Sequence, residues 1–269
     1  MSAENYDYDV LYIGSGHGTF DGAIPLASKG VKVAVVESGL IGGTCPNRGC
    51  NAKITLDAPV VLQRLAERLN GVTNGNISIN WAKNVEHKDQ VIGSLPDAIS
   101  GFLKSAGIDI FHGFGNLVDA HTVAIEGQGT KTADKIVIST GLRPHRLDIP
   151  GTELAGDSED FMNLKEQPER LVIIGAGYIA TEFATIANAS GSKVTVLTHG
   201  DRALRAYRKE YVDLIIDDLK KRGVEFINNT AVTSFEKTDG GLLVKTASGQ
   251  NYPADWILDA TGRIPNIEN

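Results

Sequence analysis

Val10-Leu11-Tyr12-Ile13-Gly14-Ser15-Gly16-His17-Gly18, with Val31-Lys32-Val33-Ala34-Val35-Val36-Glu37 behind it, decides the fold. A short apolar run ends in a glycine turn, a stretch of helical composition follows to about Lys29, and a β-branched run closes the unit. That order reads strand, turn, helix, strand: a βαβ unit whose strands belong to a buried parallel sheet. The arrangement returns at Leu171–Ile174, Gly175-Ala176-Gly177, a helix to about Ser190, and Lys193–Leu197. A second repeat supports the first. Ala133–Pro144 aligns without a gap with Ala254–Pro265, sharing the alanine, the aspartate, the first isoleucine, the Thr-Gly pair and the proline. Each half opens on a glycine turn and closes on an apolar strand ending in Thr-Gly, and internal similarity of this kind is a property of the fold.

The sequence therefore predicts the α/β class, with two Rossmann-like dinucleotide-binding domains built of three-layer sheets and β-meanders. The first domain is placed at 1–150, the second at 151–262, and 263–269 as the start of a return to the first. The join falls at Ile149-Pro150-Gly151 and the polar stretch Thr152–Asp160. Between the landmarks of the first half, helical segments are expected at about Ala58–Leu69 and Lys88–Lys104, on either side of the polar Asn70–Asn76. Asn116–Thr132 alternates and carries Gly127 and Gly129, which suits a hairpin or meander; Val224–Trp256 reads likewise, with turns at Asp239-Gly240-Gly241 and Ser248-Gly249.

Composition bounds the function. The 269 residues carry a net charge of −7, with 42% hydrophobic and 22% charged residues, an ordinary globular balance. The acidic excess argues against nucleic acid or an anionic membrane as partner, and no run approaches the roughly 20 apolar residues of a membrane span. Met1–Asp9 is acidic and lacks the basic-then-apolar pattern of an export signal, so the cytoplasm is the expected compartment. Two cysteines neither staple a secreted fold nor complete a structural zinc site, so no metal site is expected. Cys45 and Cys50 nevertheless lie five apart in one short segment, which in a reducing compartment points to redox chemistry; the alternative is two unrelated buried thiols.

A dinucleotide turn uses glycine for a tight bend, for backbone approach to the pyrophosphate and for close helix packing, and places the pyrophosphate at a helix N-terminus. Gly14 and Gly16 fit, with Glu37 at the end of the second strand where an acid meets a ribose hydroxyl; Thr19 departs from the third glycine, although Gly18, Ala23 and Ala27 keep the helix slim. In the second half Gly175, Gly177 and Ala180 fit, but Thr198-His199 stands in place of the acid, followed by Arg202 and Arg205. Losing the acid and gaining cations suits a 2′-phosphate, hence NADP over NAD; the alternative makes Arg202, Arg205, Arg208 and Lys209 one solvated helix face. Five helical residues turn about 140°, so a regular helix would not pair Cys45 with Cys50, whereas a distorted helix start would. A thiol at a helix N-terminus, with Arg48 and Lys53 near in sequence, is expected to have a lowered pKa.

The residues Gly42-Gly43-Thr44-Cys45-Pro46-Asn47-Arg48-Gly49-Cys50-Asn51-Ala52-Lys53, Thr140-Gly141, Ile149-Pro150-Gly151, Gly175–Glu182 and Thr261–Asn266 resemble the class I pyridine nucleotide-disulfide oxidoreductases, the family of glutathione reductase, dihydrolipoyl dehydrogenase and mercuric reductase. The resemblance covers essentially the whole chain. It implies FAD on the first domain, with Gly14, Ser15, Gly16 and Glu37 on its ADP half and Gly43, Thr44, Lys53, Gly115, Thr140 and Gly141 near it. It implies NADP(H) on the second, through Gly175, Ala176, Gly177, Ile179 and Gly262, with His199 and Arg205 toward the 2′-phosphate. Tyr178 matches a tyrosine that gates the nicotinamide pocket, and Lys53 and Glu182 match an ion pair beside the flavin.

The implied reaction passes electrons from NADPH through flavin and a Cys45–Cys50 redox disulfide to a small-molecule or protein disulfide. Cys50 is the sulfur nearer the flavin and Cys45 the one that attacks substrate. Members of the family continue into an interface domain that makes a homodimer and carries a His-Glu pair; the sequence stops at Asn269 and reads as a truncated member. His17, His87, His112, His121 and His145 do not match the missing base. The alternatives are a dihydrolipoyl dehydrogenase or metal-ion reductase of the same family, or a non-catalytic nucleotide-binding module or redox sensor. A thioredoxin-reductase-like protein is disfavoured, because that group carries its cysteines in the second domain.

Overall fold

A computed structural model describes residues 6–268; residues 1–5, part of the acidic N-terminal stretch, and residue 269 lie outside the described residues. The chain divides into two compact units: one runs up to Lys53, then Asp89–Arg143, then from Pro265 onward, and the other comprises Ile54–Lys88 and Pro144–Ile264.

The first unit opens with the expected βαβ: β1 (Tyr8–Ile13), α1 (His17–Ala27) and β2 (Val33–Glu37). The chain continues through the helices α2 (Thr44–Arg48), α3 (Cys50–Arg68), α4 (Trp81–Gly93) and α5 (Leu95–Ser105), of which the stretch 54–88 belongs to the second unit. Then come β3 (Asp109–His112), β4 (Gly115–Leu117), β5 (Thr122–Ile125) and β6 (Gly129–Ile138). The strands make one sheet in the order β3-β2-β1-β6-β5-β4. β3, β2, β1 and the latter part of β6 are parallel, while the start of β6 pairs antiparallel with β5 and β5 with β4. The meander over 116–132 thus grows from the edge of the parallel sheet. Val33–Val36 are all buried because side chains of both parities meet apolar partners: Leu11, Ile13, Ala34, Val36, Val123 and Ile125 on one face, Tyr12, Ala23, Val33, Val35, Leu103 and Ile108 on the other.

Two helix boundaries differ from expectation. The segment expected over Lys88–Lys104 is two helices, broken at Ser94 where Pro96 occupies the first turn of α5, the place for a residue with no N–H to give. Helix α3 starts at Cys50 rather than Ala58 and carries Pro59 inside it, because burial of Leu56 and Val60 outweighs the local cost.

The second unit repeats the plan. Following β7 (Leu142–Pro144) come α6 (Ser158–Met162), β8 (Arg170–Ile174), α7 (Tyr178–Ala189), β9 (Lys193–Leu197), α8 (Lys209–Lys221) and β10 (Glu225–Ile227). The chain then forms β11 (Val232–Thr238), β12 (Gly241–Thr246), β13 (Asn251–Ala254), β14 (Trp256–Asp259) and β15 (Arg263–Pro265). β10-β9-β8-β14 is a parallel sheet and β11-β12-β13 an antiparallel meander with turns where the sequence places them. The first unit uses one long strand, β6; here the same path is interrupted at Asp255, whose N–H donates to the Arg170 carbonyl at 2.9 Å while its carboxylate accepts the Arg170 N–H at 2.7 Å.

The helical excursion 54–88 groups with this unit for identifiable reasons. Trp81 Nε1 donates to the Leu164 carbonyl at 2.8 Å, and the fully buried Lys88 Nζ donates to Met162 O at 3.1 Å and Asn163 Oδ1 at 2.7 Å. Phe161 packs beside Trp81, with ring centroids of Trp81, Phe183 and Trp256 at 5.4, 5.0 and 5.6 Å. Among the described residues no helix is long and apolar enough to cross a membrane.

Phe161 is fully buried against three aromatic rings, so Phe161→Ala is expected to lower unfolding free energy by about 3–5 kcal/mol. Denaturant unfolding followed by tryptophan fluorescence measures it; a loss comparable to that of a surface substitution would refute the packing role.

Candidate active site

The first half-site is built on the β1–α1 turn. Gly14 takes φ +107°, and a β-carbon there would overlap the Ser139 carbonyl. The turn is sewn to its neighbours by Gly14 N–H to Val36 O at 2.7 Å and Ser139 N–H to Ile13 O at 2.9 Å. Buried Ser15 donates to Glu37 Oε2 through both its N–H (2.9 Å) and hydroxyl (2.6 Å), and Gly39 N–H donates to Oε1 at 2.8 Å. The carboxylate is therefore held at the end of β2 by three donors. Thr19, the departure from the glycine pattern, is fully buried; its hydroxyl donates to Gly14 O at 2.5 Å and shares a hydrogen bond with Ser139 Oγ at 3.0 Å. A side-chain bond replaces the close packing a third glycine would supply.

Gly43, at φ +65°, brings its backbone against Gly16: a β-carbon on Gly43 would sit 2.9 Å from Gly16 Cα, while one on Gly16 would meet nothing nearer than 3.8 Å. Thr44 is exposed at the head of α2, and Gly141 follows β6 at φ +74° with open space beside it. Gly115 heads β4, where a β-carbon would press on Val36 Cγ1 at 3.0 Å, and Thr140 is half-buried. Exposed His17 is the first residue of α1, its ring edge-on to Phe20 at 5.9 Å. An open glycine cradle, a helix start and a pinned carboxylate have the donor set that a dinucleotide's diphosphate and ribose require, so these residues fit an FAD adenosine half.

The second half-site repeats this geometry with one change. Gly175, at φ +99°, would place a β-carbon 2.5 Å from Ala260 O, and Gly177 has open space around it. Gly175 N–H donates to Leu197 O at 2.8 Å and Ala260 N–H to Ile174 O at 2.9 Å. Tyr178 is exposed at the head of α7, with Ile179 and Glu182 half-buried beyond it; Gly262 follows β14 with nothing against it. These residues fit a second dinucleotide cradle. At the place of Glu37 stands buried Thr198, whose hydroxyl accepts from Gly200 N–H at 3.2 Å. Leu204, in left-handed backbone at φ +49°, donates its N–H to Ala176 O at 2.8 Å and folds the 198–208 loop back onto the glycine turn. Helix α8 begins only at Lys209, so Arg202 and Arg205 belong to this loop and not to a helix face. His199 and Arg205 are exposed on it.

The cysteines face each other through a break. Helix α2 ends at Arg48, Gly49 leaves helical geometry at φ −139°, ψ −115°, and α3 restarts at Cys50. A β-carbon on Gly49 would lie 2.9 Å from Thr44 O and 3.3 Å from Cys45 Cα, so glycine is what allows the chain to double back. Asn47 braces the preceding loop, its amide donating to Gly43 O at 2.9 Å and Ile41 O at 3.0 Å. Both thiols are free and hydrogen-bonded to one another, Cys45 half-buried and Cys50 exposed. The Cys45 thiol is pushed up to about 11, first by burial and then by the hydrogen bond and charge of Cys50. This corrects the expectation of a lowered value: the N–H groups of Cys50 and Asn51 at the start of α3 do pull it down, but they are outweighed. Lys53 lies on the first turn of α3, its N–H on Gly49 O at 2.9 Å. Among the described residues no cluster of His, Cys, Asp and Glu is placed to hold a metal. The roles of Gly49 and Asn47 escaped sequence reasoning; only the glycine inside the cysteine segment signalled one of them.

Residues 8–269 match the model of the family described as pyridine nucleotide-disulphide oxidoreductase. The chain belongs to this family. It is 36% identical over 267 residues to a glutathione reductase of Nostoc sp., covering 98% of this chain and 58% of that protein. It is 32% identical over 271 residues to a dihydrolipoyl dehydrogenase of Acholeplasma laidlawii, covering 97% and 80%. Among solved structures, the HOCl-induced flavoprotein disulfide reductase RclA from Escherichia coli superposes with a TM-score of 0.85 at 28% identity, over 96% of this chain and 57% of that one. The chain thus spans 58% of the length of that glutathione reductase.

Two outcomes follow from this geometry. Gly49→Ala pushes a β-carbon into the Thr44 carbonyl and is expected to slow intramolecular disulfide formation by about tenfold or more; thiol alkylation and mass measurement during air or diamide oxidation reads it, and an unchanged rate refutes the role. Cys45 holds its proton longer folded than unfolded, so its contribution to stability is present below the ordinary thiol pKa and is lost as pH rises toward about 11. Alkylation of Cys45 in the reduced chain should therefore keep rising with pH to about that value. Cys50→Ala should shift the profile down, with burial retaining part of the elevation. A wild-type profile that levels near the ordinary thiol value of about 8.5 would contradict this.

Proposed function

We propose that the chain is the nucleotide-binding part of an FAD-dependent oxidoreductase that passes electrons from NADPH to a disulfide, in the manner of a glutathione reductase. The carrying observation is the reversal at Gly49, which joins the Cys45 and Cys50 thiols two residues after Gly43 packs on the Gly16 cradle.

Gly14, Gly16 and Gly43 would hold the FAD diphosphate, Glu37 its ribose, with Thr44, Lys53, Gly115, Thr140 and Gly141 flanking it. When bound, FAD supplies the conversion between two-electron hydride chemistry and thiol chemistry. Gly175, Ala176, Gly177 and Gly262 would hold the nicotinamide nucleotide, Tyr178 and Ile179 would border it, and His199 and Arg205 would meet a 2′-phosphate.

The protein's own thiols carry the substrate half-reaction. The Cys45 thiolate attacks one sulfur of the substrate disulfide, expelling a thiolate and forming a mixed disulfide. Cys50 then attacks the Cys45 sulfur, expelling the second substrate thiolate and closing the Cys45–Cys50 disulfide. Two electrons leave the dithiol and two substrate thiols form. Because the Cys45 thiol sits at about 11, its attack at neutral pH requires a base to take its proton. That base would be the His-Glu pair that the resemblance implies in an interface domain of a homodimer.

An absorption spectrum of the FAD-reconstituted chain, before and after anaerobic NADPH, tests this. Retained flavin that bleaches, with a long-wavelength thiolate-to-flavin band lost in Cys50→Ser, is expected. No flavin uptake, or uptake with no response to NADPH, would overturn the proposal.

A further inference from the structure

Asp259, the last residue of β14, is a buried carboxylate that takes no part in the thiol chemistry. Its Oδ1 accepts the Thr261 N–H at 3.1 Å and the Thr261 hydroxyl at 2.7 Å, and its Oδ2 accepts the Leu147 N–H at 3.0 Å. Three neutral donors thus hold one buried acid, and it ties two segments of the second unit together: the connector that follows β7 and the Thr-Gly pair that follows β14. A backbone bond, His145 N–H to Gly262 O at 3.0 Å, runs alongside. The Thr-Gly segment in turn borders the second cradle, since a β-carbon on Gly175 would lie 2.5 Å from Ala260 O and 3.2 Å from Thr261 Cα. In the gapless alignment of the two halves, Asp259 stands where the first unit has Ile138, a 57% exposed side chain with no acceptor to offer. The clamp belongs to the second unit alone.

We propose that Asp259 is a positioning residue for the nicotinamide nucleotide, acting through Thr261. This rests on the assignment of the second half-site to that cofactor. Thr261 and Gly262 are exposed, and an exposed pair released from the carboxylate would have to be ordered when a nucleotide binds. Holding it in place beforehand removes that cost from binding. The clamp also divides the labour within the pair. Both donors of Thr261 are committed to Asp259, so Gly262, with nothing against it, is the residue left to meet a nucleotide. In the first unit no acid claims the donors of Thr140, which leaves them to a ligand. Two Thr-Gly pairs that are identical in sequence therefore do different work. Removing the carboxylate also strips the Leu147 N–H of its acceptor, which costs stability, so affinity and stability must be measured separately.

Calorimetric titration of the full chain with NADP⁺ and with NAD⁺, FAD uptake read by absorption, and denaturant unfolding test it side by side. Asp259→Asn, and Thr261→Val at an exposed position, are each expected to weaken whichever nicotinamide nucleotide the wild type binds by about tenfold, with FAD uptake unchanged. The double variant should lose no more than the larger single loss, because both changes remove the same contact. Thr261→Ser keeps the hydroxyl and should retain wild-type affinity. If Asp259→Asn does not fold, the two Thr261 variants decide the matter. Variants that unfold more easily yet bind the nucleotide like the wild type make the clamp purely structural and overturn the inference; so do losses that add in the double variant, or an equal fall in FAD uptake. Failure of the wild type to bind either NADP⁺ or NAD⁺ overturns the cofactor assignment itself.

Discussion

At Gly14, and again at Gly175, the backbone runs so close to the end of the last parallel strand that a β-carbon would overlap the Ser139 carbonyl in one unit and come within 2.5 Å of the Ala260 carbonyl in the other. Everything that gives these units a binding edge depends on that approach. It lets the first strand end in a turn rather than a loop. Within each unit it sets the start of the following helix beside that unit's own Thr-Gly pair, α1 beside 140–141 in the first and α7 beside 261–262 in the second. The glycines Gly141, Gly177 and Gly262 have nothing against them, so the room is on the side where a ligand's phosphate would lie. The same two backbone bonds recur in each unit at nearly the same lengths, 2.7 and 2.9 Å against 2.8 and 2.9 Å. The repeat is therefore one of hydrogen bonding and not only of residue type.

A second exclusion shapes the chemistry. Gly49 interrupts what would otherwise be one helix from Thr44 to Arg68, and the interruption turns a spacing that points two side chains to different faces into one that joins them. Joining the thiols has a consequence for reactivity. Each sulfur is part of the other's surroundings, and with burial added, Cys45 keeps its proton to about 11. Backbone N–H groups at a helix start lower a thiol's pKa only where desolvation and a second sulfur do not oppose them.

The two half-sites differ in where they keep a carboxylate. In the first, Glu37 is drawn in by Ser15 and Gly39 and faces the cradle as a fixed acceptor. In the second, the strand ends in a neutral hydroxyl turned to its own loop, and the acid that follows it, Asp201, is paired with Arg205.

The sequence by itself determined the two βαβ openings, the Thr-Gly closures, both meanders and their turns. These depend on local periodicity and on glycine at positions where no other residue fits, and both are written in neighbouring residues. The cysteine segment was legible because its residue types are few and ordered. Other features were decided only by the tertiary structure. The excursion 54–88 groups with the second unit because Trp81 and Lys88 meet partners more than seventy residues further along the chain, between 161 and 164. Pro59 sits inside α3 because burial of its neighbours outweighs propensity. The raised Cys45 thiol and the donors gathered on Asp259 were likewise invisible, since a residue's charge is read from the sequence but its solvation and its partner are set by what folds against it.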